Sequence, residues 1–194
     1  MGYDGIIKEL SVLLDKIYTS FILRDLLAKV IPGIIVIFSF LIIIVKDIQV
    51  LINIINSLWL FFFGLSWIVA FGIQSVGEKL KVIKYWPGKK DDRIKWIGIY
   101  NQFLSLASNE EKSNLERHIV IKEATGNLAI SLILSLIIID ISFIFIDNNN
   151  YSAFQIIFSS ISIIIFSLFL FLFHRSHIKV QGEYMEEVVF RKKI

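Results

Sequence analysis

One acidic side chain lies deep inside a long apolar run of this sequence, where an ionised group needs support. Asp140 falls within the run Leu128–Ile146, six residues before its end. A carboxylate at that depth costs about 2.5–3.5 kcal/mol on insertion scales, so a partner, water or protonation is expected. Two interpretations stay open. Asp140 is either a titratable, cation-attracting position near a pore mouth or an acid that reaches the outer interface without a role.

A second group of candidate residues follows one face of the apolar run Val50–Ile73 and continues just past it. On a helical wheel its members share an arc of about 100°. They are the small and polar residues Asn53, Asn56, Ser57, Gly64, Gln74 and Ser75. Such residues let helices approach closely and form hydrogen bonds across an interface in lipid, which is ordinary helix packing. The alternative interpretation is that they line an aqueous path in an oligomer.

A basic cluster follows the same run directly, with Trp86 and Trp96 among its members. Its cations are Lys79, Lys81, Lys84, Lys89, Lys90, Arg93 and Lys95. Beside a membrane such a cluster is typical of contact with anionic lipid and of topology control. The alternative is that it binds an RNA, a nucleotide or an acidic protein at the inner surface.

Motifs for catalysis and for metal binding are sparse. His174 and His177 lie about one helical turn apart, but no Glu or Cys completes a zinc ligand set around them. The chain has no cysteine, which excludes a disulfide scaffold and a thiolate site. A glycine-rich phosphate loop, a nucleophile elbow and a paired-carboxylate site are also missing. We therefore expect no enzyme, no cofactor and no metal site.

The elements that must position these residues are four long apolar runs separated by charged stretches. They are Val30–Val45, Val50–Ile73, Leu128–Ile146 and Ala153–Phe173. A bilayer core of ~30 Å requires ~20 apolar residues of helix. The first run is short, and it reaches that length if residues 26–28 extend it while Lys29 snorkels. The sequence predicts an all-α integral membrane protein whose four transmembrane helices form two hairpins.

The basic residues are distributed very unequally around these runs. Nineteen Lys and Arg residues lie in segments 1–29, 74–127 and 174–194, whereas the two short hairpin loops contain only Lys46. By the positive-inside rule, both termini and the large central segment are cytoplasmic, as an even number of spans requires. The predicted divisions are a cytoplasmic amphipathic helix at 1–29, transmembrane hairpins at 30–73 and 128–173, a basic helical segment at 74–127 and a basic tail at 174–194.

The cytoplasmic segments themselves are predicted to be helical. Ile6–Phe21 places its apolar residues on one face, which is typical of an amphipathic helix lying on lipid or on protein. Asp92–Ala107 is predicted to form another helix. Ser108 followed by Glu111 is a capping-box pattern that begins the next one.

Two glycines decide how the cytoplasmic helices join the third and fourth spans. The helix that begins after Ser108 either continues into the membrane as one rod or breaks at Gly126. The tail is predicted to be a helical extension of the fourth span that is weakened at Gly182.

Two stretches carry a family resemblance. They are residues 24–33, RDLLAKVIPG, which lead into the first span, and residues 116–124, ERHIVIKEA, which precede the third. They resemble small uncharacterised prokaryotic multi-span membrane proteins, some of them accessory to phage-defence loci that include RNA-targeting CRISPR systems. The resemblance implies an effector that perturbs the inner membrane when a cytoplasmic sensor fires. It carries over no functional residue.

These patterns predict a homo-oligomeric inner-membrane protein that acts as a gated pore or membrane-perturbing effector, with anti-phage defence as its setting. The alternative is a membrane-anchored scaffold whose cytoplasmic helices bind a protein or nucleic-acid partner, with the spans as a tether. An intramembrane enzyme or a small-solute transporter is disfavoured, because the spans contain one deeply placed ionisable residue.

Overall fold

The computed structural model describes residues 24–45, 47–84, 86–87, 92–145 and 153–194. Within those ranges all regular structure is helical, as predicted. A π-helical turn, Leu26–Val30, leads into α1, and the helices are α1 (Ile31–Ile44), α2 (Ile48–Ser57), α3 (Trp59–Lys79), α4 (Arg93–Leu106), α5 (Asn109–Phe145) and α6 (Ala153–Arg191). The predicted amphipathic helix Ile6–Phe21 and the loop after α5 lie outside the described residues.

Four of these helical segments are long and apolar enough to cross a membrane. They are Leu26–Ile44, Trp59–Lys79, Asn109–Ser142 and Ile157–Arg191. The predicted all-helical class with four membrane-length helices is therefore confirmed. The 37 residues of α5 and the 39 of α6 correspond to rods of about 55–60 Å, roughly twice a bilayer core. Each of these two helices thus extends far beyond its apolar part.

The first span begins at Leu26, so the residues just before the apolar run do extend the helix to membrane length. Lys29 lies on this added turn. Its ammonium group is 2.9 Å from Asp25 Oδ1 and lies over the Phe71 ring at 4.9 Å from the centroid. An ion pair with Asp25 and a cation–π contact with Phe71 therefore stabilise this ammonium group inside the protein.

The predicted second span, Val50–Ile73, is wrong in its bounds. The chain breaks at Leu58, which has φ −120° and ψ 22°, and the span-length helix that follows is α3. The 21 residues of α3 already cover about 31 Å, so the polar segment before Leu58 is not needed inside the bilayer. That segment forms the separate helix α2, capped by Asp47 Oδ1, which accepts from the Gln49 N–H at 2.7 Å.

Helix α5 occupies the centre of the arrangement. It packs along α6 and against α1, α1 packs against α3, and α4 packs on the polar half of α6. An apolar core joins α4 to residues 109–122 of α5 and 178–191 of α6 through Phe103, Leu115, Met185 and Val188. We call these three segments the three-helix unit. A second core, with Val36, Ile73, Ile83 and Ile130, joins the spans.

The local predictions for the three-helix unit are confirmed except at one glycine. Helix α4 lies within the predicted Asp92–Ala107. The Ser108 N–H donates to Glu111 Oε2 at 2.7 Å and the Glu111 N–H to Ser108 Oγ at 3.3 Å, which is a reciprocal capping box. Helix α5 continues through Gly126 as one rod. The predicted weakness at Gly182 stays a prediction: α6 runs through this residue without a break, and Trp96 and Pro87 pack against the glycine.

The crossing of α1 and α3 depends on Gly33. A Cβ atom on this residue would lie 1.8 Å from the Ser66 carbonyl oxygen, so the two backbones are in direct contact. Gly33 and Ser66 are both buried. Close approach at a small residue is the ordinary way for helices to associate in lipid, where burial of apolar surface gives little driving force.

We expect Gly33→Ala to lower the free energy of unfolding by about 1–3 kcal/mol, because the added methyl group forces α1 and α3 apart. Thermal unfolding of the purified chain in detergent measures the effect. Gly72→Ala, where nothing lies within 4 Å of the added atom, is the matched control. It should be neutral or stabilise the helix by up to about 1 kcal/mol. Equal losses at the two positions would contradict the crossing.

Candidate functional site

The polar stripe predicted along the second span is divided between two helices. Asn53, Asn56 and Ser57 are exposed on α2, Gly64 and Ser75 are exposed on α3, and Gln74 is half-buried there. The break at Leu58 ends the single helical face on which the prediction relied. Nothing lies within 4 Å of a Cβ built on Gly64. The glycine at a close helix crossing is instead Gly33, which lay outside the predicted set.

Asp140 has a partner on the neighbouring helix. Its side chain is half-buried, and Ser160 Oγ of α6 donates to Asp140 Oδ1 at 3.4 Å. The carboxylate therefore lies between α5 and α6. This contact supplies one of the partners that its position was expected to require.

The described members of the basic cluster have different surroundings. Lys79 and Lys81 are exposed at the end of α3, and Lys81 has a left-handed φ of 58° in a Schellman-type turn. Lys84 and Arg93 are also exposed, whereas Lys95 lies 3.3 Å from Glu186. The remaining two, Lys89 and Lys90, lie outside the described residues.

A layer of buried polar side chains separates the spans from the three-helix unit. We call it the polar layer, and each member is at most 5% exposed. It consists of Asp25, Lys122, Asn127, His174 and Gln181. Buried polar groups are costly unless they are hydrogen-bonded, so the partners of these side chains decide how the helices meet at this level.

His174 joins three segments of the chain. Its Nδ1 lies 2.7 Å from the Lys122 carbonyl oxygen, and its Nε2 accepts from the Lys84 N–H at 3.3 Å. A carbonyl can only accept, so Nδ1 carries the proton and the ring is neutral. Gly126 makes room for the ring, since a Cβ there would lie 2.8 Å from Nδ1. The arrangement fixes the segment after α3 against both α5 and α6.

Lys122 also contributes its side chain to this layer. Its Nζ donates to Gln181 Oε1 at 2.9 Å, again joining α5 to α6. The adjacent Glu123 accepts from Arg24 at 3.1 Å, which ties α5 to the start of the first span. Charge-assisted contacts of this kind place all three helices in one register.

Asn127 compensates for a missing backbone donor. In an α-helix the N–H of residue 32 would donate to the carbonyl of residue 28, but Pro32 has no N–H. Asn127 Nδ2 donates to the Ala28 carbonyl at 2.6 Å instead. Backbone groups in lipid need a partner from the protein, so this side chain stabilises the π-helical turn at the start of the first span.

The two histidines of the tail have separate partners. His177 Nδ1 lies 3.4 Å from His118 Nδ1, while His174 binds backbone groups as described above. Among the described residues, no group of three or more His, Cys, Asp or Glu side chains could hold a metal ion.

Sequence reasoning identified neither the polar layer nor its members' roles. The sequence pattern assigns no role to Asn127, and it presents His174 only as half of an incomplete metal pair. One usable signal was present. Pro32 leaves the Ala28 carbonyl without its helical donor, so a buried amide elsewhere in the chain was to be expected.

No protein-family model matches this chain, and no curated protein or solved structure is significantly similar to it. The class is therefore defined by the fold alone. The described residues form an all-helical protein with four helices long and apolar enough to cross a membrane. In this protein a buried polar layer connects those helices to the three-helix unit.

A double-mutant cycle tests the role of Asn127. We expect Asn127→Leu to lower the free energy of unfolding by about 1–3 kcal/mol, because the buried Ala28 carbonyl loses its donor. In a Pro32→Ala background the amide of residue 32 can donate, so the cost of Asn127→Leu should fall by about 1 kcal/mol. Thermal unfolding in detergent gives all four values. Strictly additive losses would contradict the compensation.

The protonation state of His174 is a second expected outcome. At neutral pH, ¹⁵N spectra of the imidazoles should show the neutral Nδ1–H tautomer for His174, since only this form satisfies both hydrogen bonds. Single His→Gln variants assign the three rings. An Nε2–H tautomer or an imidazolium at His174 would show that the bond to Lys84 does not form.

Proposed function

We propose that this chain is a homo-oligomeric multi-pass protein of the cell membrane that acts as a gated pore or membrane-perturbing effector. The observation that carries the proposal is the continuity of α5 and α6. Each is one uninterrupted helix from the three-helix unit into an apolar span. A displacement of the three-helix unit would therefore move two spans directly, as gating requires.

The polar layer supports the same proposal. His174 and the Lys122–Gln181 contact fasten α5 to α6 between the apolar spans and the three-helix unit. Buried polar contacts have defined geometries, so they favour a small number of discrete arrangements over continuous deformation. We propose that binding or assembly at the three-helix unit selects between two such arrangements.

An oligomer is proposed because four membrane-length helices leave little room for an aqueous path within one protomer. Only 11% of the most apolar stretch of α6 is buried within the protomer, whereas 39% is buried in the corresponding stretches of the first span and of α5. Two neighbouring copies could cover this face and enclose a path between them. Asp140 and the exposed members of the former stripe, Asn53, Asn56, Ser57, Gly64 and Ser75, are the proposed interface or path residues.

The proposed orientation places both termini and the three-helix unit in the cytoplasm, which rests on the nineteen-to-one distribution of Lys and Arg. The proposed topology also joins the four spans as two hairpins. Anti-phage defence is proposed as the setting on the resemblance of residues 24–33 and 116–124, and no geometric observation adds to it.

Electrical recording tests the pore. We expect the purified chain in planar bilayers to conduct, and Asp140→Asn to lower the cation-to-anion permeability ratio by about twofold or more, because a charge at a pore mouth attracts cations. The reversal potential in a salt gradient measures this ratio. Native mass measurement in nanodiscs reports the subunit number.

Asp47→Asn is the matched control. It removes the same charge in the loop between the first two spans, and Asn is an equally good helix cap for α2. No conductance at any applied voltage would rule out a pore that opens without a bound partner, and a strict monomer would rule out the oligomeric pore. Conductance with unaltered selectivity in Asp140→Asn would retain the pore and reject Asp140 as a path residue.

The second candidate is a membrane-anchored scaffold whose three-helix unit binds a protein or nucleic acid. It is favoured by exposed apolar side chains on α4, where Ile94 is 84% exposed, Leu104 40% and Ile97 38%. These residues share one side of the helix and are available to a partner. A scaffold predicts normal membrane potential on expression, whereas a pore-forming effector predicts depolarisation once triggered.

A further inference from the structure

A cleft of about 510 Å³ opens where α6 leaves its apolar run. Described residues between positions 82 and 87, the start of α4 and one face of α6 line it. The lining residues used below are Lys84, Trp86, Trp96, Arg175, Lys179 and Ile178. Its volume lies within the range of pockets that hold small molecules or headgroups.

The charges that line the cleft do not cancel. Two acids contribute to its wall, Glu183 and Glu186, but Glu183 lies 3.5 Å from Lys179 and Glu186 lies 3.3 Å from Lys95. Lys84 and Arg175 form no ion pair with any residue that the structure describes. Among the described residues, Lys84 and Arg175 are therefore two lining cations without an ion pair, which favours an anionic ligand.

The position of these cations indicates the source of that anion. Arg175 lies two residues, about 3 Å, beyond Phe173, the end of the fourth apolar run. The backbone of Lys84 is fixed to the same level by its hydrogen bond to His174. Leu172 lies about one helical turn before Arg175 on the same face of α6, and Leu80 directly follows α3; both side chains are exposed and apolar. A ligand that places a phosphate at these cations and acyl chains on this surface is an amphiphile.

The tryptophans agree with a lipid better than with a nucleic acid. Trp96 is 8% exposed and Trp86 is half-buried, so neither presents an open ring face on which a base could stack. Trp96 belongs to the apolar core of the three-helix unit, and the Trp86 ring packs edge-on against Tyr100. The cleft therefore offers a ligand its cations, and no stacking platform for a base.

We propose that this cleft binds the phosphate headgroup of an anionic phospholipid, with Lys84 and Arg175 as its ligands and with the acyl chains on the exposed apolar surface of α3 and α6. The site shares with the proposed function only the placement of the chain in a bilayer. It holds whether or not the protein conducts.

Native mass spectrometry of the full delipidated chain in detergent tests the site. Phosphatidylglycerol should bind more tightly than phosphatidylcholine of the same acyl chains. Lys84→Gln and Arg175→Gln should each weaken phosphatidylglycerol binding about fivefold, as expected for the loss of one positive charge near a headgroup, and should leave phosphatidylcholine binding unchanged.

Lys79→Gln and Arg117→Gln are the matched controls, because both residues are exposed and neither lines the cleft. Losses as large as those of Lys84→Gln would show a non-specific charge effect and overturn the site. Equal affinity of the wild-type chain for the two lipids would overturn it without relying on any variant. Displacement of lipid by millimolar inorganic phosphate would assign the cleft to a soluble phosphate, and displacement by short RNA would assign it to nucleic acid. The lipid-binding measurement does not depend on conductance, so its result tests the cleft independently of the proposed pore.

Discussion

The structure depends on finding protein partners for polar groups at the level where the spans meet the three-helix unit. The polar side chains at this level are buried, and each buried donor or acceptor without a partner is costly. The His174 ring meets the requirement for two distant backbone groups at once, the carbonyl of Lys122 and the N–H of Lys84. Because the ring fits only where Gly126 has no side chain, this contact fixes how three segments approach each other.

A chain of similar compensations follows along the first span. Pro32 removes a backbone donor, and Asn127 replaces it from α5. One residue further on, Gly33 allows α1 to meet the backbone of Ser66 on α3. The pair Pro32-Gly33 therefore attaches the first span to both neighbours, one through a hydrogen bond and the other through direct packing. Two features that weaken an isolated helix stabilise this assembly.

The three-helix unit is coupled mechanically to two spans because α5 and α6 are continuous helices. Its apolar core, around Phe103 and Met185, includes residues of α5 and α6 that lie on the same helices as two spans. The cleft lined by Lys84 and Arg175 lies beside this junction, next to the segment that His174 fixes. A ligand in the cleft, a partner on α4 and the arrangement of the spans would therefore act on the same pair of rods. The physical link between them is the polar layer.

The sequence by itself determined what depends on local composition: four membrane-length helices, the extension of the first span to Leu26, the helix Arg93–Leu106 and the capping box at Ser108. It failed where a boundary depended on competition between segments, since Val50–Ile73 is apolar enough to be one helix but breaks at Leu58. Only the tertiary structure decided the partners of Asn127, Lys122 and His174, because each forms a hydrogen bond to a group at least 59 residues away in the chain. Hydropathy and periodicity report the environment that a residue requires, whereas the identity of the group that provides it depends on how distant helices pack.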